Sequence, residues 1–210
     1  MTGDVGRRVR AAYDDLVSVY AESNHGAMPD ELTSLARSIV VHAGIGSRII
    51  DVGCGIGRDM AWFEQRGLAV TGVDLSEGML GFARGMVQGS LAAMDMQQLG
   101  LASDVFDGAW CCASLLHLPK DSAPLALGEI RRVLKRGAML VLSVQEGAGE
   151  SWEASYGTNS ERYFARYQAG EVVDMLIRTG FCVKETGRSV LPLRTWLTFV
   201  CYAESPDPED

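Results

Sequence analysis

The densest chemical signal in this chain is the run Ile49-Ile50-Asp51-Val52-Gly53-Cys54-Gly55-Ile56-Gly57-Arg58-Asp59. A short apolar segment ends on Asp51, and glycine then recurs at every second position, 53, 55 and 57. Such a pattern suits a buried strand breaking into a loop whose backbone comes close to a ligand. Glycine reaches dihedrals closed to other residues and has no Cβ to hold the ligand away. A dinucleotide loop requires glycine at its first, third and sixth positions, but the sixth position counted from Gly53 is Arg58. The carboxylate of Asp51 would also repel a pyrophosphate. The loop is read as a seat for a neutral or cationic group. A second acid, Asp74, ends the predicted strand Val70-Thr71-Gly72-Val73-Asp74, 17 residues after Gly57. A carboxylate there can accept from two ribose hydroxyls; capping the next helix is its plainer use.

These two motifs resemble the first and second motifs of the class I S-adenosylmethionine-dependent methyltransferases. The resemblance extends to Asp95-Met96, to Phe106–Leu118 and to Arg131–Gly137, and so spans about residues 48 to 145 in the family's order. It departs from the family at Arg136, where proline is usual. The family implies S-adenosyl-L-methionine as cofactor, with S-adenosyl-L-homocysteine as product. It implies Asp51, Gly53, Cys54, Gly55, Gly57 and Arg58 beside the amino acid portion and Asp74 on the ribose. Leu75, Asp95 and Met96 would serve the adenine, and Ala113 and Ser114 the strand end beside the sulfonium.

Methyl transfer from a sulfonium is an in-line displacement, so alignment of the reactants supplies much of the rate, up to about 7–11 kcal/mol in favourable cases. A strong base is optional. His117, just beyond the fourth predicted strand, is the candidate general base, since an ordinary imidazole titrates near neutrality; packing or cofactor support is its alternative role. The candidate acceptor pocket draws on Tyr13, Tyr20 and His25 from the N-terminal helices, Trp152 and Tyr163 from the segment after the fifth strand, and Arg194 near the end. So many aromatics favour a flat or apolar small molecule. Residues 151–167 are expected to form a substrate-facing cap.

These residues need a frame to hold them. Apolar residues at three- and four-residue steps over Val9–Tyr20 and Leu32–Val40 predict two amphipathic helices. Strands and helices then alternate. Strands are predicted at 48–51, 69–74, 90–94, 106–112, 138–144, 182–185 and 196–202. The helices between them are predicted at 58–66, 76–84, 122–136 and 169–178. Alternation implies a Rossmann-like α/β fold, a mostly parallel seven-stranded sheet with helices on both faces, and the resemblance implies an antiparallel last strand. One methyltransferase domain is expected over 1–203. Its parts are an N-terminal helical cap (1–45), a cofactor-binding core (46–145) and a substrate-side insertion with the C-terminal strands (146–203). An acidic, disordered tail is expected at 204–210.

The net charge of −8 argues against broad binding to phosphate backbones, which relies on Lys and Arg. Five cysteines without metal-type spacing predict no metal site, no disulfide framework and a reducing cytoplasm. No apolar run approaches the roughly 18 residues that cross a membrane. The expected partner is a small-molecule methyl acceptor, with neither nucleic acid nor membrane, and the chain is expected to be a monomer or homodimer. RNA or protein methyl transfer, and non-catalytic binding of an adenosyl ligand, are the competing functions.

Overall fold

The sheet is built around Arg48–Val52 (β1), which pairs in parallel with Ala69–Asp74 (β2) on one side and with Phe106–Cys112 (β4) on the other. Side chains alternate across a strand. Accordingly Ile49 packs with the cluster that holds Met60, Phe63 and Trp110, and Ile50 with the opposite cluster of Leu127, Ile130 and Leu176. Beyond these central strands lie Ser90–Ala93 (β3) and Leu134–Gln145 (β5), then Phe181–Leu191 (β8) and Arg194–Ala203 (β9). The full order is β3-β2-β1-β4-β5-β9-β8, with β9 antiparallel to both neighbours. The expected seven-stranded sheet with an antiparallel last strand is present. The computed structural model describes residues 2–204; apart from Glu204, the expected tail lies outside them.

Helices cover both faces. Asp30–Ala43 (α2), Arg58–Glu64 (α3) and Glu77–Ala83 (α4) bury Ile39, Phe63 and Leu80 on one side. Ala123–Val133 (α5) and Ala169–Arg178 (α6) bury Leu127 and Leu176 on the other. The long first helix, Thr2–Asn24 (α1), packs on α4 and on the second small sheet.

Three expected boundaries differ. The helix expected to reach Arg136 stops at Val133, because fully buried Leu134 pairs with Phe106 and begins β5. The chain then bulges through Gly137, at φ +76°, before Met139 pairs with Gly108. Lys135, inside the expected helix, meets the Asp107 carboxylate at 2.6 Å from β5. The aromatic insertion contains a two-stranded hairpin, Glu150–Ala154 (β6) and Glu161–Ala165 (β7), with Trp152 opposite Tyr163. The last two strands are also longer than predicted, since their mutual ladder runs out to Leu191 and Arg194.

Candidate active site

The order of strands reverses between β1 and β4, and ligands of such sheets bind beyond the carboxyl ends at that point. A cleft opens there, roofed by α1. Its floor follows from two backbone requirements. Gly53 has φ +78°, and a Cβ on it would overlap the Cβ of Ser114. Gly55 has φ +53°, but a Cβ there would meet nothing within 4 Å. The first glycine lets β1 approach β4; the second leaves the loop open to the cleft. Ser114 ties the two strand ends by donating to the Val52 carbonyl at 2.6 Å. Ala113 takes the left-handed region at φ +55°, a strain of about 1–3 kcal/mol for a residue with a Cβ. Its N–H donates to Ser143 Oγ at 3.0 Å.

Two carboxylates face this floor. Asp74 accepts from the N–H of Gly55 at 2.8 Å on one oxygen and from the N–H of Ser76 at 2.9 Å on the other. Each oxygen keeps acceptor capacity for a further donor. Burial raises its pKa, against the lowering effect of those N–H groups. Asp51 is 2% exposed, and its Oδ2 is buried with no hydrogen-bond partner among the described residues. Burial drives its carboxyl well above the usual range, and the nearby charges of Asp59 and Asp74 add to the rise. The adjacent Arg58 does not neutralise it. That guanidinium is engaged by Asp59 at 2.6 Å, whose other oxygen accepts from Trp110 Nε1 at 2.9 Å. An orphaned carboxylate oxygen beside an open glycine loop fits a ligand that carries an amino group.

The remaining wall mixes apolar and polar side chains: Leu75, Met94, Asp95 and Met96 line it. The Asp95 carboxylate accepts from the N–H of Gln97 at 2.9 Å. Of the residues picked from sequence, Cys54, Arg58, Ala113, Ser114, His117, Tyr13 and Tyr20 also line the cleft. Gly57 does not. It starts α3 in the left-handed conformation, and a Cβ there would press on Ala83 and Val87 at 3.1 Å. His25, Trp152, Tyr163 and Arg194 are outside the lining as well. His25 Nδ1 bonds the Ala21 carbonyl at 2.7 Å, and Trp152 packs on Tyr163 with ring centroids 5.3 Å apart.

Sequence patterns left several contributors unnamed. Asp14 on α1 accepts from Ser76 Oγ at 2.6 Å and from the N–H of Gly78 at 2.9 Å, fastening the roof to the start of α4. Asn24 lines the cleft and donates to Tyr156 Oη at 3.1 Å. Arg162 donates to Tyr13 Oη at 3.0 Å. No local spacing marks these residues, because each partner lies far away in the chain.

Against α1, Tyr13 Oη is 2.7 Å from His117 Nε2, and His117 Nδ1 is 2.6 Å from the Tyr163 carbonyl. A carbonyl only accepts, so Nδ1 bears the proton and Nε2 receives the Tyr13 hydroxyl hydrogen. Burial pushes the imidazole down to about 3, assisted by the charge of Arg162. Burial also pushes the Tyr13 phenol up to about 12, against the opposing pull of Arg162.

Residues 50–142 match the family described as "Methyltransferase domain". This stretch resembles a methyltransferase domain. The chain is 32% identical over 106 residues to the methyltransferase GfsG of Streptomyces halstedii, covering 47% of this chain and 37% of that protein. It is 36% identical over 126 residues to a malonyl-[acyl-carrier protein] O-methyltransferase of Erwinia pyrifoliae, covering 56% of this chain and 46% of the relative. The chain thus spans less than half the length of either protein. In fold it is similar to the Burkholderia thailandensis 1,6-didemethyltoxoflavin-N1-methyltransferase, solved with bound 1,6-didemethyltoxoflavin and S-adenosylhomocysteine. There the TM-score is 0.74 at 22% identity, over 98% of this chain and 91% of that one. Within the matched stretch, the glycine floor, Asp51 and Asp74 occupy the carboxyl ends of β1 and β2. Among the described residues no helix is long and apolar enough to cross a membrane.

Proposed function

We propose that this chain transfers a methyl group from S-adenosylmethionine to a small-molecule acceptor. The observation that carries the reading is the partnerless, buried Oδ2 of Asp51 beside a glycine loop with open space at Gly55. When bound, the cofactor supplies an electrophilic methyl on a sulfonium. Asp51 would receive its ammonium and Asp74 its ribose hydroxyls, while Leu75 and Met96 flank the adenine. Ala113 and Ser114, which follow β4 and line the cleft, would bring backbone beside the reacting methyl. The protein's work is alignment and exclusion of water, which α1 serves by roofing the cleft.

A small acceptor is supported by the far wall, where Tyr13, Tyr20 and His117 make edge-to-face contacts with centroids 5.3–5.9 Å apart. A nucleic-acid acceptor would call for free basic side chains. The two arginines lining the cleft, Arg10 and Arg58, are instead paired with Glu77 at 3.2 Å and Asp59 at 2.6 Å. Incubation with methyl-labelled cofactor and separate pools of metabolites, RNA and protein tests the reading. Label entering the metabolite pool is the expected result, and label entering only RNA or protein would overturn it.

A further inference from the structure

Arg162 sits on β7 with 8% of its surface exposed. Its Nε donates to Ser155 Oγ at 2.8 Å and its Nη1 to Tyr13 Oη at 3.0 Å. The rings of Tyr156 and Phe164 lie 5.0 Å from the guanidinium carbon and that of Tyr13 lies 5.4 Å away. The titratable groups that act on it are Tyr13 and Tyr20 from α1 and Tyr156 from the hairpin loop, with His117 beyond Tyr13. Among the described residues no carboxylate pairs with it. Hydroxyls and ring faces solvate a cation without neutralising it, and a buried charge is costly unless paired. A guanidinium kept in this state points to a counter-charge from outside the chain.

The histidine and the tyrosine of the same corner of the cleft are both engaged. His117 has both ring nitrogens in use, one toward the Tyr163 carbonyl and one toward Tyr13. The hydroxyl hydrogen of Tyr13 is already directed at His117, and its oxygen accepts from Arg162. Neither His117 nor Tyr13 is therefore free to take a proton from a neutral acceptor. Such an acceptor finds a cation standing one hydroxyl behind the wall. An opposite charge within about 4–6 Å favours the ionised form of an acid by tenfold or more.

We infer that the methyl acceptor is an oxyacid held as its anion, a phenolate, enolate or carboxylate, and that Arg162, through its charge behind Tyr13, is the positioning residue that selects for this charge. The inference rests on the proposed methyl-transfer reading. An acceptor that arrives protonated releases its proton to solvent on binding, and no side chain gains it. Charge selection then replaces general-base catalysis.

The test uses the whole chain saturated with S-adenosylhomocysteine, and titrates it with 4-nitrophenol and with its neutral counterpart 4-nitrobenzyl alcohol. Calorimetry reads affinity, and the yellow absorbance of the phenolate reads ionisation of the bound probe. The phenolate is expected to bind about tenfold more tightly than the alcohol, and the bound phenol to ionise at lower pH than the free one. Arg162→Gln should lose that preference while keeping its affinity for the alcohol and for S-adenosylhomocysteine; Arg162→Lys should restore part of it. Equal binding of phenolate and alcohol, absence of phenolate binding, or a preference that survives Arg162→Gln would overturn the inference. Should Arg162→Gln fail to fold, the wild-type ionisation curve decides: an unshifted bound phenol overturns it. Absence of S-adenosylhomocysteine binding would instead sink the underlying cofactor reading, so the two failures are distinguishable.

Discussion

Tyr13 and His117 are 104 residues apart in the chain and 2.7 Å apart in the fold, and the proton between them belongs to the tyrosine. Its direction follows from the Tyr163 carbonyl on the other ring nitrogen, which fixes the tautomer. His117 therefore orients the phenol that lines the cleft.

The pH profile follows from that arrangement. With its imidazole held at about 3, His117 contributes no rise in kcat between pH 5 and 8. Its depressed pKa also links to stability. The unfolded chain binds a proton near pH 6.5, so the folded state loses stability as pH falls from there towards 3. His117→Gln should leave the neutral-pH profile of kcat without a new limb and should flatten this acid loss. Urea titrations at pH 7 and pH 4.5 check the second point; equal losses in wild type and variant would contradict it.

Gly53 and Gly55 separate folding from binding. Gly53→Ala forces a Cβ onto Ser114 at a positive φ, and should cost about 1–3 kcal/mol of stability. Gly55→Ala adds a methyl into open space at a similar φ. It should cost about 1 kcal/mol of backbone strain and lower affinity for S-adenosylhomocysteine about tenfold or more. Denaturant unfolding and calorimetry on both variants read the two effects; a Gly55→Ala protein with full affinity would mean that the loop does not face the cofactor.

Asp51 should trade stability for binding. Its raised pKa means that ionisation opposes folding at neutral pH, and the opposition fades as pH falls through the folded-state value. Asp51→Asn removes the buried charge. The free variant should be more stable than wild type at pH 7 by about 1–3 kcal/mol and should bind S-adenosylmethionine less well. A variant that is destabilised and binds normally would show that Asp51 is a structural group.

What the sequence could and could not reveal divides by distance along the chain. The floor of the site was legible because Asp51, Gly53, Gly55 and Asp74 act through their own backbone and their immediate strand ends. The seven strands were legible from alternation. The start of β5 was not, since Leu134 continues a helical pattern and becomes a strand only through its pairing with Phe106. Arg162 reads as one charged residue among aromatics, and its meaning depends on Tyr13, 149 positions away. Asp14 reads as a helix-surface acid until α4 is brought beneath it. His117 was legible as a cleft residue, but its protonation is set by a carbonyl that no spacing announces.

The most direct test of the central claim is calorimetric titration of S-adenosylhomocysteine into the wild-type chain and into Asp74→Ala. Asp74 holds the Gly55 and Ser76 N–H groups and keeps acceptor capacity for the ribose, so hydrogen bonds to its charged form should contribute about 1.5–3 kcal/mol to binding. Saturable one-to-one binding by wild type, weakened at least about tenfold in a folded Asp74→Ala protein, is the predicted result. Equal affinity in the two proteins, or no binding by wild type, would contradict the account.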